Sequence, residues 1–156
     1  MNLQITKAVV ADRESLNRIS LASKKYWGYP QDWIDHWRED LKVTSTHFEQ
    51  CQVIKAVLEV EEKETVIGFC IIGETDQEYE VLHLWVDPPY IGKGYGKTLL
   101  NQALEMAMTT PKDILVEADP NAEAFYKAMG FVTFDEVKSV YPEGRVLPLM
   151  RKSVNN

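Results

Sequence analysis

The feature that most constrains this chain is a glycine-rich stretch, Val86 to Leu100, that joins an apolar strand to a helix. Two prolines turn the chain after the strand, and three glycines then alternate over Gly92–Gly96. Glycine tolerates positive φ and lets the backbone come close to a ligand, and the unpaired N–H groups at a helix start favour an anion. Lys93 and Lys97 add positive charge beside these amides. The stretch therefore predicts an anion-binding junction.

Two common phosphate-binding motifs fail on the spacing of these residues. A Walker A loop needs a glycine five residues ahead of Gly96-Lys97-Thr98, where the chain carries Ile91. The dinucleotide fingerprint G-x-G-x-x-G, started at Gly92 or Gly94, would place its third glycine on a lysine or a leucine. Neither motif is complete.

The pattern that fits is Arg/Gln-x-x-Gly-x-Gly/Ala after a strand, which here reads Ile91-Gly92-Lys93-Gly94-Tyr95-Gly96. It resembles the pyrophosphate loop of the GNAT acyl-CoA N-acyltransferases, with Ile91 where most members carry Arg or Gln. The segment Asn121 to Phe131 is similar to a second motif of that family, N-x-x-A-x-x-F-Y-x-x-x-G-F, with looser alanine spacing. Leu147 to Lys152 resembles the closing strand of the family. The resemblance covers the whole chain and is most specific from Glu80 to Phe131.

Hydrophobic periodicity predicts the element order β-α-α-β-β-β-α-β-α-β-β. The predicted strands are Leu3–Ala8, Val53–Val60, Val66–Ile72, Tyr79–Val86, Ile114–Ala118, Phe131–Val140 and Arg145–Lys152. This order is that of the GNAT fold, which is α+β with a central, mostly antiparallel mixed sheet of about seven strands and helices on both faces. No linker or repeat divides the 156 residues, so we expect a single acetyltransferase domain over residues 1–156.

Composition excludes several function classes. The formal charge of −7 repels nucleic acid and anionic membranes and favours amine-bearing partners. No apolar run approaches the ~18 residues of a membrane span and no leader segment is evident, so we expect a soluble, cytoplasmic protein, monomeric or homodimeric. Two cysteines are too few for a disulfide framework. The histidines His36, His47 and His83 have no metal-ligand spacing, so no metal is expected, and His83 is interpreted as a packing residue of its strand.

The resemblance implies that acetyl-CoA is the co-substrate and that backbone amides from Gly92 to Lys97 hold its pyrophosphate. The side chain of Asn121 would hold the pantetheine arm, although a helix cap formed by Asn121, or by Asp119 with Pro120, fits the sequence equally well. The residues implied in binding the donor are Leu84, Trp85, Val86, Ile91, Gly92, Lys93, Gly94, Tyr95, Gly96, Lys97, Thr98, Asn121 and Tyr126.

Acyl transfer from a thioester to an amine needs three groups. An ammonium acceptor has a pKa of ~10, so a base must first remove its proton, and Glu80 occupies the family's position for a strand glutamate, with Glu78 as the alternative. The resemblance implies that the Leu84 N–H stabilises the oxyanion. It also favours Tyr126 as the acid that protonates the departing thiolate, whose pKa lies near ~8.5.

The segment from Tyr26 to Trp37 is rich in aromatic residues. It could bind the acceptor, because the family places this segment over the acceptor site. Trp27, Tyr29 and Trp33 are the predicted contacts, and the remaining rings would pack in the core. We expect a primary amine as acceptor, in preference a small molecule rather than a protein. Direct attack in a ternary complex is expected, since nothing in the sequence places a histidine and a carboxylate beside Cys70 to activate it as a nucleophile.

Two other functions stay open at this point. A non-catalytic acyl-CoA sensor would keep the loop and lose turnover, which the presence of both Glu80 and Tyr126 argues against. A nucleotide-binding protein would need the glycine that Ile91 replaces.

Overall fold

The computed structural model describes residues 2–154, so Met1, Asn155 and Asn156 of the expected domain lie outside the described residues. The strands are β1 (Leu3–Lys7), β2 (Gln52–Val60), β3 (Lys63–Glu74), β4 (Glu78–Val86), β5 (Asp113–Glu117), β6 (Val132–Lys138) and β7 (Val146–Lys152). The helices are α1 (Arg13–Tyr26), α2 (Gln31–Trp37), α3 (Ser45–Gln50), α4 (Tyr95–Ala107) and α5 (Glu123–Ala128). None of these helices is long and apolar enough to span a membrane.

The strands form one mixed sheet in the order β1-β2-β3-β4-β5-β7-β6. Neighbouring strands are antiparallel except β4 and β5, which are parallel. A parallel pair needs a crossover connection, and the loop and helix α4 supply it. The predicted fold class, α+β with a mostly antiparallel mixed sheet, is confirmed.

Each face of the sheet packs against helices because side chains alternate along the strands. On β3, Cys70 and Ile72 belong to a core cluster that includes Leu100 of α4. Phe69 and Ile71 belong to a second cluster that includes Ile19 of α1. The sheet is therefore covered on both faces, as the sequence predicted.

Two local differences from the predicted elements have clear causes. Helix α3 was not predicted, because its six residues, STHFEQ, are too few to show a helical hydrophobic period. The predicted helix Asn121–Met129 is divided into a 3-10 turn, Pro120–Ala122, and α5. Asp119 starts that turn, since its side chain accepts a hydrogen bond from the Asn121 N–H at 2.9 Å.

Candidate active site

The parallel pair β4–β5 separates partway along its length and opens a cavity. The two strands pair from Glu78 opposite Asp113 to Val81 opposite Val116, and β4 then continues to Val86 with pairing only to β3. A cavity of about 420 Å³ occupies this opening. The backbone of β4 beyond Val81 is therefore available to a ligand along the edge that faces β5.

An extra residue in β4 sets which amides face the opening. Val81 lies opposite Ile72 and His83 opposite Ile71, so Leu82 has no partner on β3 and forms a β-bulge. The Asp87 N–H donates to the Ile67 carbonyl of β3 at 2.7 Å. Because N–H directions alternate along a strand, the N–H groups of residues 84 and 86 point away from β3 and toward the cavity.

The loop after β4 leads its backbone along the cavity wall. Gly92 and Gly94 have φ of +82° and +84°, and a Cβ on either would meet no atom within 4 Å, so the backbone conformation rather than crowding requires glycine. Gly94 is the N-cap of α4, and its carbonyl accepts the Thr98 N–H at 3.3 Å. The N–H groups of residues 95–97 precede this first helical bond, as helix geometry requires. Three amides without a hydrogen-bond partner among residues 2–154 and a helix dipole therefore meet at this end of the cavity.

An ion pair between the exposed Arg18 of α1 and the buried Asp87 fixes the loop to α1. Arg18 donates to both carboxylate oxygens of Asp87, at 3.0 and 3.4 Å, and Asp87 is 7% exposed. The Asp87 carbonyl in turn accepts the Tyr90 N–H at 2.8 Å. This pair holds the turn between β4 and the glycines in place.

The Tyr126 ring is buried at the side of the cavity. It lies edge-on to Phe125 and Phe131, with ring centroids 5.2 and 5.4 Å away. Its hydroxyl has no hydrogen-bond partner among residues 2–154 and keeps some solvent-accessible surface. Burial, with the charges of Cys70 and Asp119, raises the pKa of Tyr126. The phenol therefore stays protonated at neutral pH and can donate a hydrogen bond into the cavity.

Neither candidate base lines the cavity wall. Glu80 is half-buried, lies opposite Gly73 on β3, and raises the pKa of the Cys51 thiol together with burial, the larger cause. Glu78 lies at the far end of β4 and pairs with Arg151 at 3.9 Å. Of the two, Glu80 is nearer to the bulge, and proton transfer between the cavity and Glu80 would need an intervening water.

A polar network is centred on Asp119, which lines the cavity. Asp119 pairs with Lys24 of α1 at 2.6 Å and with Arg145 of the β6–β7 loop at 3.5 Å. The Tyr29 hydroxyl donates to the same carboxylate and accepts from Arg145 at 3.1 Å. Burial alone would raise the pKa of Asp119, but the charge of Lys24 and the hydrogen bonds to the carboxylate bring it below its ordinary value. The carboxylate is therefore ionised and shared by two cations.

This network also fixes the orientation of the Asn121 amide. Its Nδ2 donates to the Tyr29 hydroxyl at 2.9 Å and to Asp119 at 3.1 Å, which uses both amide hydrogens. The reverse orientation would place the amide oxygen against the Asp119 carboxylate. Asn121 lines the cavity, so its Oδ1 is the atom left to accept a hydrogen bond there.

The structure brings together most of the residues that were predicted to bind the acetyl donor. Those that line the cavity are Leu84, Trp85, Val86, Ile91, Gly92, Gly94, Gly96, Lys97, Asn121 and Tyr126. Lys93, Tyr95 and Thr98 belong to the same loop and helix start but not to the cavity wall. These three are adjacent to lining residues, so their amides remain close to the site.

The predicted acceptor residues divide differently. Trp27, at the end of α1, lines the cavity and is 42% exposed. Tyr29 and Trp33 do not line it: their rings stack on each other at 5.9 Å and pack against Trp37. The Tyr29 ring belongs instead to the Asp119 network.

Several lining residues carried no signal in the sequence. Ser23, His83, Tyr90 and Phe125 line the cavity although none of them was predicted to do so. His83 had been interpreted as a packing residue of the strand. Its position could have been found only from the bulge, which puts an extra residue in β4 immediately before it.

The His83 ring is held by its neighbour on β4. Its Nδ1 accepts a hydrogen bond from the Trp85 indole N–H at 2.9 Å. Burial and the nearby His47 lower the pKa of His83 to about 4. The imidazole is therefore neutral at neutral pH. Within residues 2–154 no group of three His, Cys, Asp or Glu side chains is arranged to hold a metal ion.

Comparisons with known proteins agree with this geometry. The sequence model of the acetyltransferase (GNAT) domain matches residues 53–133. The N-acetyltransferase PaiA from Thermoplasma acidophilum, solved in complex with coenzyme A, is 22% identical, with 98% of this chain and 99% of that chain covered and a TM-score of 0.75. A search among curated proteins finds no match.

Two other solved structures have the same fold. The ribosomal-protein-S18-alanine N-acetyltransferase from Escherichia coli is 16% identical, covers 98% of this chain and 94% of its own, and has a TM-score of 0.71. Naa50 from Arabidopsis thaliana, in complex with the bisubstrate analogue CoA-Ac-MVNAL, is 17% identical, covers 98% and 99%, and has a TM-score of 0.69. At these identities the likeness shows the fold alone.

Proposed function

The chain belongs to the GNAT acetyltransferase family, and from this premise we propose that it transfers an acetyl group from acetyl-CoA to a primary amine by direct attack in a ternary complex. One observation carries the proposal: a single cavity connects the unpaired amides at the start of α4 with the free edge of β4 and with the Tyr126 hydroxyl. A donor with a phosphate group at one end and a thioester at the other fits that arrangement.

The donor would bind along the wall formed by the loop and β4. The amides of residues 95–97, with the helix dipole, offer a site for the pyrophosphate, and Lys97 adds a charge at the cavity wall. The pantetheine arm would add to the free edge of β4, with a carbonyl oxygen on the N–H group of Val86, which leaves the Leu84 N–H for the thioester carbonyl. The Oδ1 of Asn121 would accept one of its amide N–H groups.

The chemistry follows from three groups, of which Leu84 and Tyr126 line the cavity and Glu80 lies outside its wall. The acceptor ammonium gives a proton through water to Glu80, and the free amine attacks the thioester carbon. The Leu84 N–H stabilises the negative charge that develops on the carbonyl oxygen. The carbon–sulfur bond then breaks and Tyr126 donates its proton to the departing thiolate. The nitrogen gives up its extra proton to water, solvent restores the proton of Tyr126, and the amide product forms without a covalent enzyme intermediate.

The acceptor itself is proposed to be a small amine. The E. coli neighbour is named for an alanine of a ribosomal protein and the A. thaliana neighbour is bound to an analogue that contains peptide residues. For this chain we propose a cytoplasmic, single-domain enzyme over residues 1–156, acting as a monomer or a homodimer. The net charge of −7 favours a cationic acceptor over an anionic one during the encounter.

Thermal unfolding with candidate ligands tests donor binding. CoA and acetyl-CoA should raise the melting temperature, and ATP and NAD should not, because a ligand present at one hundred times its Kd stabilises the folded state by ~2.7 kcal/mol. Gly94→Asp should remove the effect, since it adds a negative charge where the phosphates approach.

Gly144→Asp is the matched control for that variant. Gly144 has φ of +89° and open space around its Cβ position, like Gly94, but lies in the β6–β7 loop outside the cavity wall. It should keep the full CoA shift. An equal loss in both variants, or an unchanged shift in Gly94→Asp, would remove the loop from the site.

Release of free thiol from acetyl-CoA over a panel of amines tests turnover. Polyamines, amino acid amides, aminoglycosides and short peptides form the panel. Thiol release that depends on one class would support the proposed function. Tight CoA binding with no release for any amine would favour the non-catalytic sensor.

A further inference from the structure

We propose that His83 selects acceptors that carry a carbonyl or carboxylate oxygen beside the reacting amine, as amino acids and their amides do. The inference rests on the proposed function, because it names the acceptor class of the same cavity. It assigns a substrate contact to a residue that the sequence pattern had given only a packing role.

The position of His83 relates it to the reacting atoms. It lies immediately after the bulge residue Leu82 and immediately before Leu84, whose N–H faces the opening. The ring lies on the α1 side of the sheet, beside Phe69 at 6.1 Å and His47 at 5.5 Å between centroids, and His83 is one of the residues that line the cavity. An amine that attacks a carbonyl held at Leu84 from this side would come next to His83.

Hydrogen bonding determines what the ring can offer to that amine. The Trp85 indole N–H can only donate, so His83 Nδ1 is the acceptor of the bond at 2.9 Å. In the neutral imidazole the proton then lies on Nε2. Nε2 has no hydrogen-bond partner among residues 2–154 and is not sealed from solvent. The ring thus has one free N–H donor, on a residue that lines the cavity.

The same facts exclude a role as general base. The only lone pair in the ring plane belongs to Nδ1 and is occupied by the Trp85 indole. Burial and His47 lower the pKa of His83 to about 4, so the ring does not compete for a proton at neutral pH. A fixed neutral donor needs an oxygen or nitrogen lone pair as its partner.

The surrounding positive charge also favours a substrate oxygen as the hydrogen-bond partner of the Nε2–H group. Lys24 of α1 lies 5.9 Å from the Trp85 ring centroid, and together with Arg145 it gives two cations for the single carboxylate of Asp119. The other titratable groups around His83 are His47 of α3, with Cys51 and Glu80 toward the start of β4. An α-carbonyl oxygen lies three bonds from its amine nitrogen, whereas a simple alkylamine or polyamine has no oxygen to accept the Nε2 hydrogen.

Matched acceptor pairs test the proposal. Leucinamide and isoamylamine share a side chain and differ in the carboxamide, and phenylalaninamide and phenethylamine form a second pair. The readout is the ratio of kcat/KM for the amide over that for the amine, measured for wild type and for His83→Phe and His83→Leu. Because the different amine pKa values affect all proteins equally, they cancel in the comparison of ratios.

We expect the ratio to fall about 3- to 10-fold in both variants, the value of one neutral hydrogen bond. His83→Gln, whose amide N–H reaches the place of Nε2, should recover part of it. Free leucine, as a third acceptor, separates the two oxygen chemistries: a larger fall for leucine than for leucinamide indicates a carboxylate partner.

Three outcomes overturn the proposal. An equal fall for the amide and the amine would mean that His83 acts on the shared acetyl donor or on folding. An unchanged ratio would mean that the acceptor does not reach Nε2. No thiol release from any amine in wild type, with CoA binding intact, would overturn the proposed function itself and this inference with it, which distinguishes the two failures.

Discussion

Burial keeps the side chains of Tyr126 and His83, two residues that line the cavity, uncharged at neutral pH. It raises the pKa of Tyr126 and lowers that of His83, so both are neutral hydrogen-bond donors at neutral pH. A neutral acid suits the proposed role of Tyr126, because the developing thiolate accepts its proton only as the carbon–sulfur bond breaks. In the proposed mechanism the base is therefore a different residue, and Glu80 is the candidate that lies nearer to the bulge of β4.

The low pKa of His83 has a consequence for stability. The unfolded chain binds a proton at this residue below pH ~6.5 and the folded chain only below about 4. Stability should therefore fall as the pH drops between these values, by about 2 kcal/mol at pH 5. Urea unfolding at pH 5 and pH 7 measures this. His83→Phe should reduce the difference and leave the part that comes from His47, whose pKa burial also lowers, while a variant of the exposed His36 should keep the whole difference. An equal pH dependence in His83→Phe would contradict the burial argument.

Glu80→Gln should affect turnover more than donor binding. It should lower kcat/KM by about 10²- to 10⁴-fold at neutral pH and by less at high pH, where the amine loses its proton without help. Glu78→Gln is the matched control, because it makes the same change two residues earlier, at the end of β4 that pairs with Arg151. A loss in the control with none in Glu80→Gln would transfer the role to Glu78.

At the scale of elements, the Asp119 network joins both sides of the cavity. It links α1 through Lys24, the loop before α2 through Tyr29, and the β6–β7 loop through Arg145 to the turn that carries Asn121. Trp37 of α2 packs over both cations, at 4.4 and 4.5 Å from its ring. The network therefore fixes α1 and α2 to the turn that carries Asn121.

Tyr29→Phe tests that connection. Loss of the hydroxyl frees one hydrogen of the Asn121 amide, whose Oδ1 is then no longer fixed toward the cavity, and CoA affinity should fall about 3- to 10-fold. Affinity for 3′,5′-ADP, which lacks the pantetheine arm, should not change. Titration calorimetry measures both, with Tyr26→Phe as a control on an exposed ring. An equal loss for CoA and 3′,5′-ADP would indicate a general structural effect instead.

The elements differ in how far the sequence could predict them. Strands with strong alternation and α4 with its apolar face were predicted within a few residues, because periodicity depends on neighbours in the chain. The Asp119 network was not, since Lys24 and Asp119 are 95 residues apart and no local pattern relates them. Tyr29 and Trp33 were predicted as acceptor contacts from their residue type, but only the packing of α2 decides which aromatic side chain reaches the cavity.

At the scale of the whole molecule, the element order and the glycine loop were enough to predict the fold. A parallel pair within an otherwise antiparallel sheet follows from the crossover through α4, and its separation creates the cavity. The bulge at Leu82 could not be predicted, because one extra residue in a strand leaves the hydrophobic pattern readable on either side. It is nevertheless the feature that brings His83 to the cavity wall.

The proposed mechanism binds donor and acceptor at the same time in the opening between β4 and β5. Cys70 is a fully buried thiol of the core, and it contributes to the raised pKa of Tyr126. Burial raises the pKa of Cys70 itself, so this thiol is not available as a nucleophile. Initial rates against both substrates should give intersecting double-reciprocal lines, because no acetyl-enzyme forms. Cys70→Ala should keep kcat within about threefold, well below the 10²-fold minimum for loss of a general acid or base. Parallel lines, or a mass increase of one acetyl group after incubation with acetyl-CoA alone, would require a covalent intermediate.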